Sequence, residues 1–212
     1  MDFDLSEDEL TFEKEVVAFL EANQSEEVMD SNPEHLSQTV ETPAKRAFLR
    51  QPAEQHWLGM TWPEQYGGGG RTFFERYVVM EEMLAAGAPV QAHWVADRQS
   101  GPLLLRFGTE EQRERFLPRC DSGDTILAVA MTEPGAGSDL SGMKTSVKDQ
   151  GDHYLLNGSK TYISNGINAD VVIVAAKLDG ADSKHALVLM VVERGMEGFE
   201  RGRNLDKMGL KA

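Results

Sequence analysis

The sequence predicts an α+β protein, with an all-helical domain over residues 1–122 followed by an antiparallel, barrel-like β domain over residues 123–212. Up to residue 122, apolar residues recur at the 3.6-residue period of helices, and capping patterns precede them. After Gly123, short β-favouring runs are separated by turn residues. The change of period falls at residues 122–125, so we expect no flexible linker between the two domains.

Two helices are predicted in the first 51 residues. Ser6 and Glu9 form a capping box, which marks the start of the first helix. Its apolar residues follow at helical spacing: Phe12, Val16, Phe19 and Leu20. Thr42-Pro43 offers a cap followed by proline at the first helical position and predicts a second helix near 43–51. The polar stretch 23–38 between them has no clear period and is expected to be a loop.

Three further helices are predicted between residues 72 and 122. Thr72 with Glu75, and Thr109 with Gln112, repeat the capping-box pattern and start two of them. The helix after Thr72 carries one apolar face: Phe73, Tyr77, Met80 and Leu84. Another apolar helix runs through His93-Trp94. The last helix is expected to stop before residue 122.

The β domain is predicted from short β-favouring runs that are separated by turn residues. The runs are 126–132, 153–156, 162–163, 171–178 and 186–192. Strands that follow a series of helices favour α+β over a doubly wound α/β sheet.

Charge and metal-ligand residues exclude several classes of function. The formal net charge is −14, and residues 1–66 hold 15 acidic against 4 basic residues, which is −11, so a nucleic-acid partner is not expected. An acidic, solvated helical face is the expected explanation of this charge, and a docking surface is the alternative. The single cysteine, Cys120, excludes an internal disulfide. His93, His153 and His185 are scattered without metal-ligand spacing, so no metal site is predicted.

No membrane-spanning segment is predicted. The longest uninterrupted apolar runs, 171–176 and 186–192, fall far short of the roughly 20 residues that a bilayer-spanning helix needs. The amino terminus is acidic where a secretory signal would be basic and then apolar, and it has no arginine-rich transit sequence. We therefore expect a cytoplasmic protein.

The loop Met131–Asp139 is the most informative stretch of the chain. A dinucleotide fingerprint would need a third glycine three residues after Gly137, where the sequence has Leu140, and a helix after it. The small residues instead let the backbone approach a ligand closely. The hydroxyls of Thr132 and Ser138 can hydrogen-bond a flat polar heterocycle or a phosphate. An ordinary turn is the alternative interpretation.

A second informative stretch is Leu156–Gly166. It contains a hairpin-type Asn157-Gly158, then a short β run with an aromatic residue, Tyr162, and a hydroxyl, Ser164. The alternative interpretation is a plain hairpin with Tyr162 in the core.

Four blocks of sequence, in register, resemble the acyl-CoA dehydrogenase family. They are Trp62–Gly68, Phe107–Pro118, Thr132–Asp139 and Asn157–Lys160. The resemblance implies a helical amino-terminal domain, a middle β domain and a carboxy-terminal helical bundle, with FAD between the last two. By the same resemblance, this chain holds the first domain and an incomplete second one, and the helical bundle is absent.

The resemblance also implies the residues that contact FAD. They are Val129, Met131, Thr132, Gly137, Ser138, Tyr162, Ile163 and Ser164. The Thr132 hydroxyl is expected near the flavin ring, and Ser138 is expected to contact the substrate as well. Tyr162–Ser164 would contact the flavin from its other side. Tyr162 stands where the family often has Trp, and Ser164 where it often has Thr, so an aromatic face and a hydroxyl are kept.

The implied reaction is α,β-dehydrogenation of an acyl-CoA thioester in fatty acid metabolism. A carboxylate removes the α proton while the β hydrogen leaves as hydride to the flavin. The base is expected beyond Ala212, so no catalytic residue is expected in this chain, and the chain alone is expected to be inactive. Turn or capping roles are expected for Glu133 and Asp139. An electron-transfer flavoprotein as acceptor and a homodimer or homotetramer are also implied.

Two other functions stay open at this point. One is a non-catalytic partner subunit of a heteromeric flavoprotein. The other is a flavin oxidase or monooxygenase of the same fold, because a fold does not fix its chemistry.

Overall fold

The computed structural model describes residues 4–30, 36–181 and 186–208, and over these residues it has the predicted α+β order of helices followed by strands. The expectations for residues 1–3, for part of the 23–38 loop and for His185 lie outside the described residues.

The described α-helices are α1 (Glu7–Asn23), α2 (Pro43–Glu54), α3 (Phe73–Ala85), α4 (Gln91–Val95), α5 (Gly101–Phe107) and α6 (Glu110–Asp121). Helices α1, α2, α3 and α6 begin directly after their predicted caps, which are Ser6, Thr42, Thr72 and Thr109. A π-helical turn, Ala96–Ser100, joins α4 to α5, and short 3-10 turns lie at Leu36–Val40, Glu64–Tyr66 and Leu140–Gly142. The three predicted capping boxes, at α1, α3 and α6, each have both reciprocal hydrogen bonds.

The apolar face predicted for α3 is not the packed face of that helix. Phe73, Tyr77 and Leu84 are 70%, 54% and 46% exposed. The buried residues of α3 are Val78, Val79 and Met83. The helix carries two apolar stripes, and helical periodicity alone does not indicate which of them meets the core.

The strands form one sheet with mixed pairing. They are β1 (Leu127–Ala130), β2 (Ser146–Asp149), β3 (Tyr154–Asn157), β4 (Val171–Leu178) and β5 (Leu187–Glu193). β4 is central: β1 and β2 pair with it in parallel, and β5 pairs with it antiparallel. β2 and β3 form an antiparallel hairpin.

The sheet differs from the sequence prediction in four respects. The expected antiparallel pairing is wrong for β1 and β2 against β4, because the order of strand neighbours depends on long connections that local patterns do not reveal. β2 was not predicted, and residues 162–163 lie in an irregular segment instead of a strand. The hairpin turn lies between β2 and β3, where Gly151 has φ of 97°, and not at Asn157-Gly158.

Two apolar clusters cover the two faces of the sheet. One joins the helices to the sheet and contains Trp62, Leu117, Leu127 and Ile173. Trp62 packs directly on Gly101, where an added Cβ would lie 2.1 Å from the indole ring. The other face carries Ala128, Ala130, Ala169, Val172, Val174 and Val192. β1 therefore has both faces buried, which leaves its edge as the part that can meet a ligand.

Candidate functional site

The candidate site lies along one edge of β1. Among the described strands, β1 pairs with β4 alone, and the segment 160–165 runs beside its other edge. Three hydrogen bonds attach this segment: from Lys160 Nζ to the Met131 carbonyl (3.0 Å), from the Thr161 N–H to the Thr132 carbonyl (3.0 Å), and from Asn165 Nδ2 to the Leu127 carbonyl (3.2 Å). Side chains at its two ends therefore hold the segment against the strand.

Between the attachments at Leu127 and Met131, no hydrogen bond joins β1 to the described residues of the segment 160–165, and we call this unbonded interval the gap. The Ile126 carbonyl accepts from the Asp170 N–H on the β4 side. Because backbone groups alternate along a strand, residues 127, 129 and 131 direct theirs to the other edge. The carbonyls of Leu127 and Met131 are engaged by the segment 160–165. The Val129 amide and carbonyl and the Met131 N–H therefore lie along the middle of that edge.

The segment 160–165 presents an aromatic ring and a hydroxyl. Tyr162 is 64% exposed and has φ of 57°, a left-handed conformation that is rare for a bulky residue. Ser164 is exposed. Ile163 packs against the second apolar cluster of the sheet, the one that contains Ala128 and Val172. The interpretation of Tyr162 as a core residue of a plain hairpin is therefore wrong. Strained and exposed aromatic residues are typical of binding sites.

The loop after β1 contains a closed turn and two open glycines, one inside the turn and one just after it. Glu133 and Ala136 exchange backbone hydrogen bonds of 2.9 and 3.1 Å, which closes the turn. A Cβ added at Gly135 or Gly137 would meet nothing within 4 Å, and Ser138 is exposed. The absence of side chains at these glycines leaves space in which a ligand can approach the backbone.

Both carboxylates of this loop have structural partners. Glu133 is buried and accepts hydrogen bonds from the N–H groups of Lys144 (2.7 Å) and Thr145 (2.9 Å) and from Lys160 Nζ (2.9 Å). Burial alone would raise the pKa of Glu133, but hydrogen bonds from Thr145, Lys144 and Lys160 outweigh it and lower the pKa to about 2. Asp139 accepts from the Ser141 N–H at 3.0 Å and caps a 3-10 turn. The expected turn and capping roles are confirmed.

A cavity of about 350 Å³ adjoins the same loop. It lies between the turn after β1 and the ends of the β2–β3 hairpin. Its lining is Glu133, Pro134, Gly135, Gly142, Lys144, Thr145, Ser146, Asn157, Gly158 and Ser159. The two informative stretches of the sequence therefore also share a solvent-accessible space.

The groups along the β1 edge fit a flat heterocycle whose own edge alternates donors and acceptors. The backbone of Val129 and Met131 supplies both kinds of partner, and Thr132 adds a hydroxyl at the strand end. Tyr162 and Ser164 are exposed and belong to the segment on the other side of the gap. Flavin has such an edge. Over the described ranges, no group of His, Cys, Asp and Glu side chains could hold a metal ion.

The structure places the eight predicted contact residues in two neighbouring segments, 129–138 and 160–165. Their assignment to FAD stays a prediction. Lys160 and Asn165, which attach one segment to the other, were not among them. The opposite charges of Glu133 and Lys160, one in each informative stretch, are a sequence signal that could have paired the two stretches.

Two family profiles match nearly the whole chain. The amino-terminal domain of acyl-CoA dehydrogenase matches residues 6–124, and the middle domain of the same family matches residues 128–212. The isovaleryl-CoA dehydrogenase of Pongo abelii, a mitochondrial protein by its name, is 38% identical over 210 residues, which are 98% of this chain and 48% of the relative.

Solved structures agree with these matches. The chain is similar to an acyl-CoA dehydrogenase from Geobacillus kaustophilus, with a TM-score of 0.83 and 35% identity over 100% of this chain and 55% of that one. It is also similar to an acyl-CoA dehydrogenase complexed with FAD from Bacillus anthracis, with a TM-score of 0.80 and 33% identity over 97% and 34% of the two chains. The chain spans about half the length of the curated relatives it matches.

The comparisons leave the cellular location as a prediction. In the described parts of the chain, no helix is long and apolar enough to cross a membrane. A cytoplasmic location stays an expectation.

Proposed function

The chain belongs to the acyl-CoA dehydrogenase family, and from this premise we propose that it forms one wall of the FAD site in an enzyme that dehydrogenates acyl-CoA thioesters between the α and β carbons. The observation that carries the proposal is the gap between the free edge of β1 and Tyr162–Ser164. The family is FAD-dependent, and the relative from Bacillus anthracis was solved with FAD.

In this proposal, the β1 edge binds and orients the flavin ring. The backbone groups of Val129 and Met131 pair with the polar edge of the ring, and the Thr132 hydroxyl reaches it from the end of the strand. Tyr162 and Ser164 close the other side. Bound FAD supplies the hydride acceptor, and the protein supplies its orientation relative to the substrate.

The open loop is proposed to bind polar groups of the cofactor or the thioester. Gly137 leaves the backbone accessible, and Ser138 adds an exposed hydroxyl. Backbone N–H groups without neighbouring side chains can hydrogen-bond phosphate or carbonyl oxygens. Ser138 is therefore the residue of this chain assigned to both cofactor and substrate.

The catalytic base is proposed to come from residues other than these 212. Glu133 is held by three hydrogen bonds and Asp139 caps a turn, so neither is available to remove a proton. We therefore expect the chain on its own to be inactive in dehydrogenation. An acyl-CoA thioester as substrate, an electron-transfer flavoprotein as acceptor and a homodimer or homotetramer belong to the same proposal.

The non-catalytic partner subunit stays the second candidate. The engagement of Glu133 and Asp139 favours it, because a subunit without a base could still supply one wall of a flavin site. An oxidase or monooxygenase would use the same wall with oxygen as acceptor. Reaction with a saturated acyl-CoA distinguishes these functions.

The first experiment tests the open glycine of the loop. Gly137→Leu places a side chain in the space assigned to the cofactor, and we expect FAD to bind at least about tenfold more weakly. Gly202→Leu is the matched control, since a Cβ at Gly202 also meets nothing within 4 Å and neither glycine has a positive φ. FAD affinity is measured by flavin fluorescence on the purified protein, and folding is measured by thermal unfolding. Equal affinities in the two variants would contradict the proposed site.

The second experiment tests the reaction. The intact mass and visible spectrum of the purified holoenzyme are recorded, and a saturated acyl-CoA is added without oxygen. Bleaching of the flavin bands that persists when oxygen is admitted supports a dehydrogenase, whereas rapid return of the bands with formation of hydrogen peroxide indicates an oxidase. A flavin spectrum that no acyl-CoA bleaches favours the partner subunit.

A further inference from the structure

A buried ion pair joins the two segments that form the candidate site. Lys160 Nζ lies 2.9 Å from Glu133 Oε1, and the two side chains are only 10% and 6% exposed. Lys160 Nζ also donates to the Met131 carbonyl at 3.0 Å. The ammonium therefore holds a carbonyl of the β1 edge and the carboxylate of the following turn at the same time.

The carboxylate extends this connection to a third part of the chain. Glu133 accepts hydrogen bonds from the N–H groups of Lys144 and Thr145, which immediately precede β2. One ion pair thus fixes the end of β1, the approach to β2 and the start of the segment 160–165. Thr161 directly follows Lys160, and its N–H donates to the Thr132 carbonyl, so this hydrogen bond joins the same two segments as the ion pair.

The stability of the fold alone does not explain this buried ion pair. Burying two charges is costly, and apolar side chains of similar volume often stabilise a fold equally well or better. Charge-assisted hydrogen bonds add direction and fixed length. Here they act on the backbone of Met131, whose N–H faces the gap. Lys160 holds the carbonyl of this residue, and among the described residues no strand pairs with β1 on this side.

From these contacts we propose that Lys160 and Glu133 are a positioning pair for the bound flavin, a role that rests on the proposed function above. Lys160 sets the distance between the β1 edge and the segment 160–165, and therefore the width of the gap. Glu133 neutralises the ammonium, so that the pair presents no net charge to the ring.

The test compares four variants of the holoenzyme: Lys160→Met, Glu133→Gln, the double variant and Lys160→Arg. Arg115→Met is the control, because the Arg115–Glu193 ion pair, at 2.6 Å, is half-exposed and contacts neither segment. The measured quantities are the reduction potential of the bound flavin and the dissociation constant of FAD.

The two single variants are expected to move the potential in opposite directions. Lys160→Met leaves the Glu133 carboxylate uncompensated, which disfavours the addition of electrons to the flavin and lowers its potential. Glu133→Gln leaves the ammonium uncompensated and raises it. The double variant returns toward the parent value, and Lys160→Arg stays close to it because the charge is kept. Lys160→Met also weakens FAD binding about tenfold, through loss of a charge-assisted hydrogen bond.

Shifts of the same sign in the two single variants, or shifts no larger than that of Arg115→Met, would overturn the proposal. If Lys160→Met does not fold, Glu133→Gln is still expected to raise the potential by more than Arg115→Met changes it, while Lys160→Arg keeps the parent value, and failure of either expectation overturns the proposal.

A parent protein that binds no FAD would overturn the proposed function instead. In that case, hydrogen exchange of the Thr161 N–H reports on positioning without a cofactor. Exchange is expected to be faster in Lys160→Met than in Arg115→Met, and equal rates would remove the positioning role as well.

Discussion

His93 is a buried imidazole in the middle of the helical layer. It is 2% exposed, and neither ring nitrogen has a hydrogen-bond partner among the described residues. Burial lowers the pKa of His93 to about 4, and the negative charges of Asp124 and Asp170 oppose this shift only in part. The folded chain therefore keeps a neutral ring at a pH where the unfolded chain takes up a proton.

The pH dependence of stability follows from this difference. Since the pKa of the folded state lies below that of the unfolded state, about 6.5, His93 contributes its full stability above pH 6.5 and loses it as the pH falls toward 4. The loss in the free energy of unfolding is about 2 kcal/mol at pH 5 and about 3 kcal/mol at pH 4. Urea unfolding at about pH 7.5 and about pH 5 measures it.

His93→Leu is expected to flatten the dependence between these two pH values. An unchanged slope in that variant would show that other groups cause the loss of stability.

The contacts between distant side chains are the part of the site that the sequence did not predict. Glu133 and Lys160 are 27 residues apart, and their meeting depends on where two loops fold. The flavin-facing positions could be proposed because they lie within contiguous blocks that resemble a family. A turn or capping role was predicted for Glu133, whereas the three groups that donate hydrogen bonds to its carboxylate were not predicted.

Helices and strands differ in how far local patterns determine them. The capping box of α3 involves residues three apart, Thr72 and Glu75, so its start could be read from four residues. The pairing of β1 with β4 joins residues 44 apart, such as Leu127 and Val171, and no local pattern encodes it. The four-residue β2 lacked a run long enough to be recognised as a strand.

The contribution of the α3 capping box can be measured with one substitution. The Thr72 hydroxyl accepts from the Glu75 N–H at 3.1 Å, so Thr72→Ala is expected to lower the free energy of unfolding by about 1 kcal/mol. Thr11→Ala is the control. Its hydroxyl bonds to the Glu7 carbonyl inside α1, and alanine is the better helix former there. Chemical denaturation that gave equal losses in the two variants would contradict the capping role.

Asn165 connects the helical layer to the sheet through two side-chain hydrogen bonds. Its Nδ2 donates to the Ala92 carbonyl in α4 (2.8 Å) and to the Leu127 carbonyl in β1 (3.2 Å), and the residue is 3% exposed. Asparagine is also one of the few residues that tolerate its φ of 63°. The order of the two layers was predicted from sequence, but this tie was not, because it needs three separate segments to meet.

Asn165→Ala should therefore destabilise the whole chain. Two buried hydrogen bonds are lost and the left-handed backbone is strained, which together lower the free energy of unfolding by about 2 kcal/mol. Asn23→Ala, which removes one bond to the Phe19 carbonyl within α1, is expected to cost less than about 1 kcal/mol. Thermal and urea unfolding of both variants check the difference, and an equal loss would show that Asn165 is not a tie between layers.

The way the edge of β1 is covered also bears on aggregation. A bare edge strand can pair with an edge of another chain, and natural proteins protect such edges. Here Lys160 and Asn165 engage the carbonyls at the two ends, so only the groups between them remain accessible. A stretch that short is a poor template for an intermolecular β-sheet. We therefore expect that the protein without its cofactor does not aggregate through this strand.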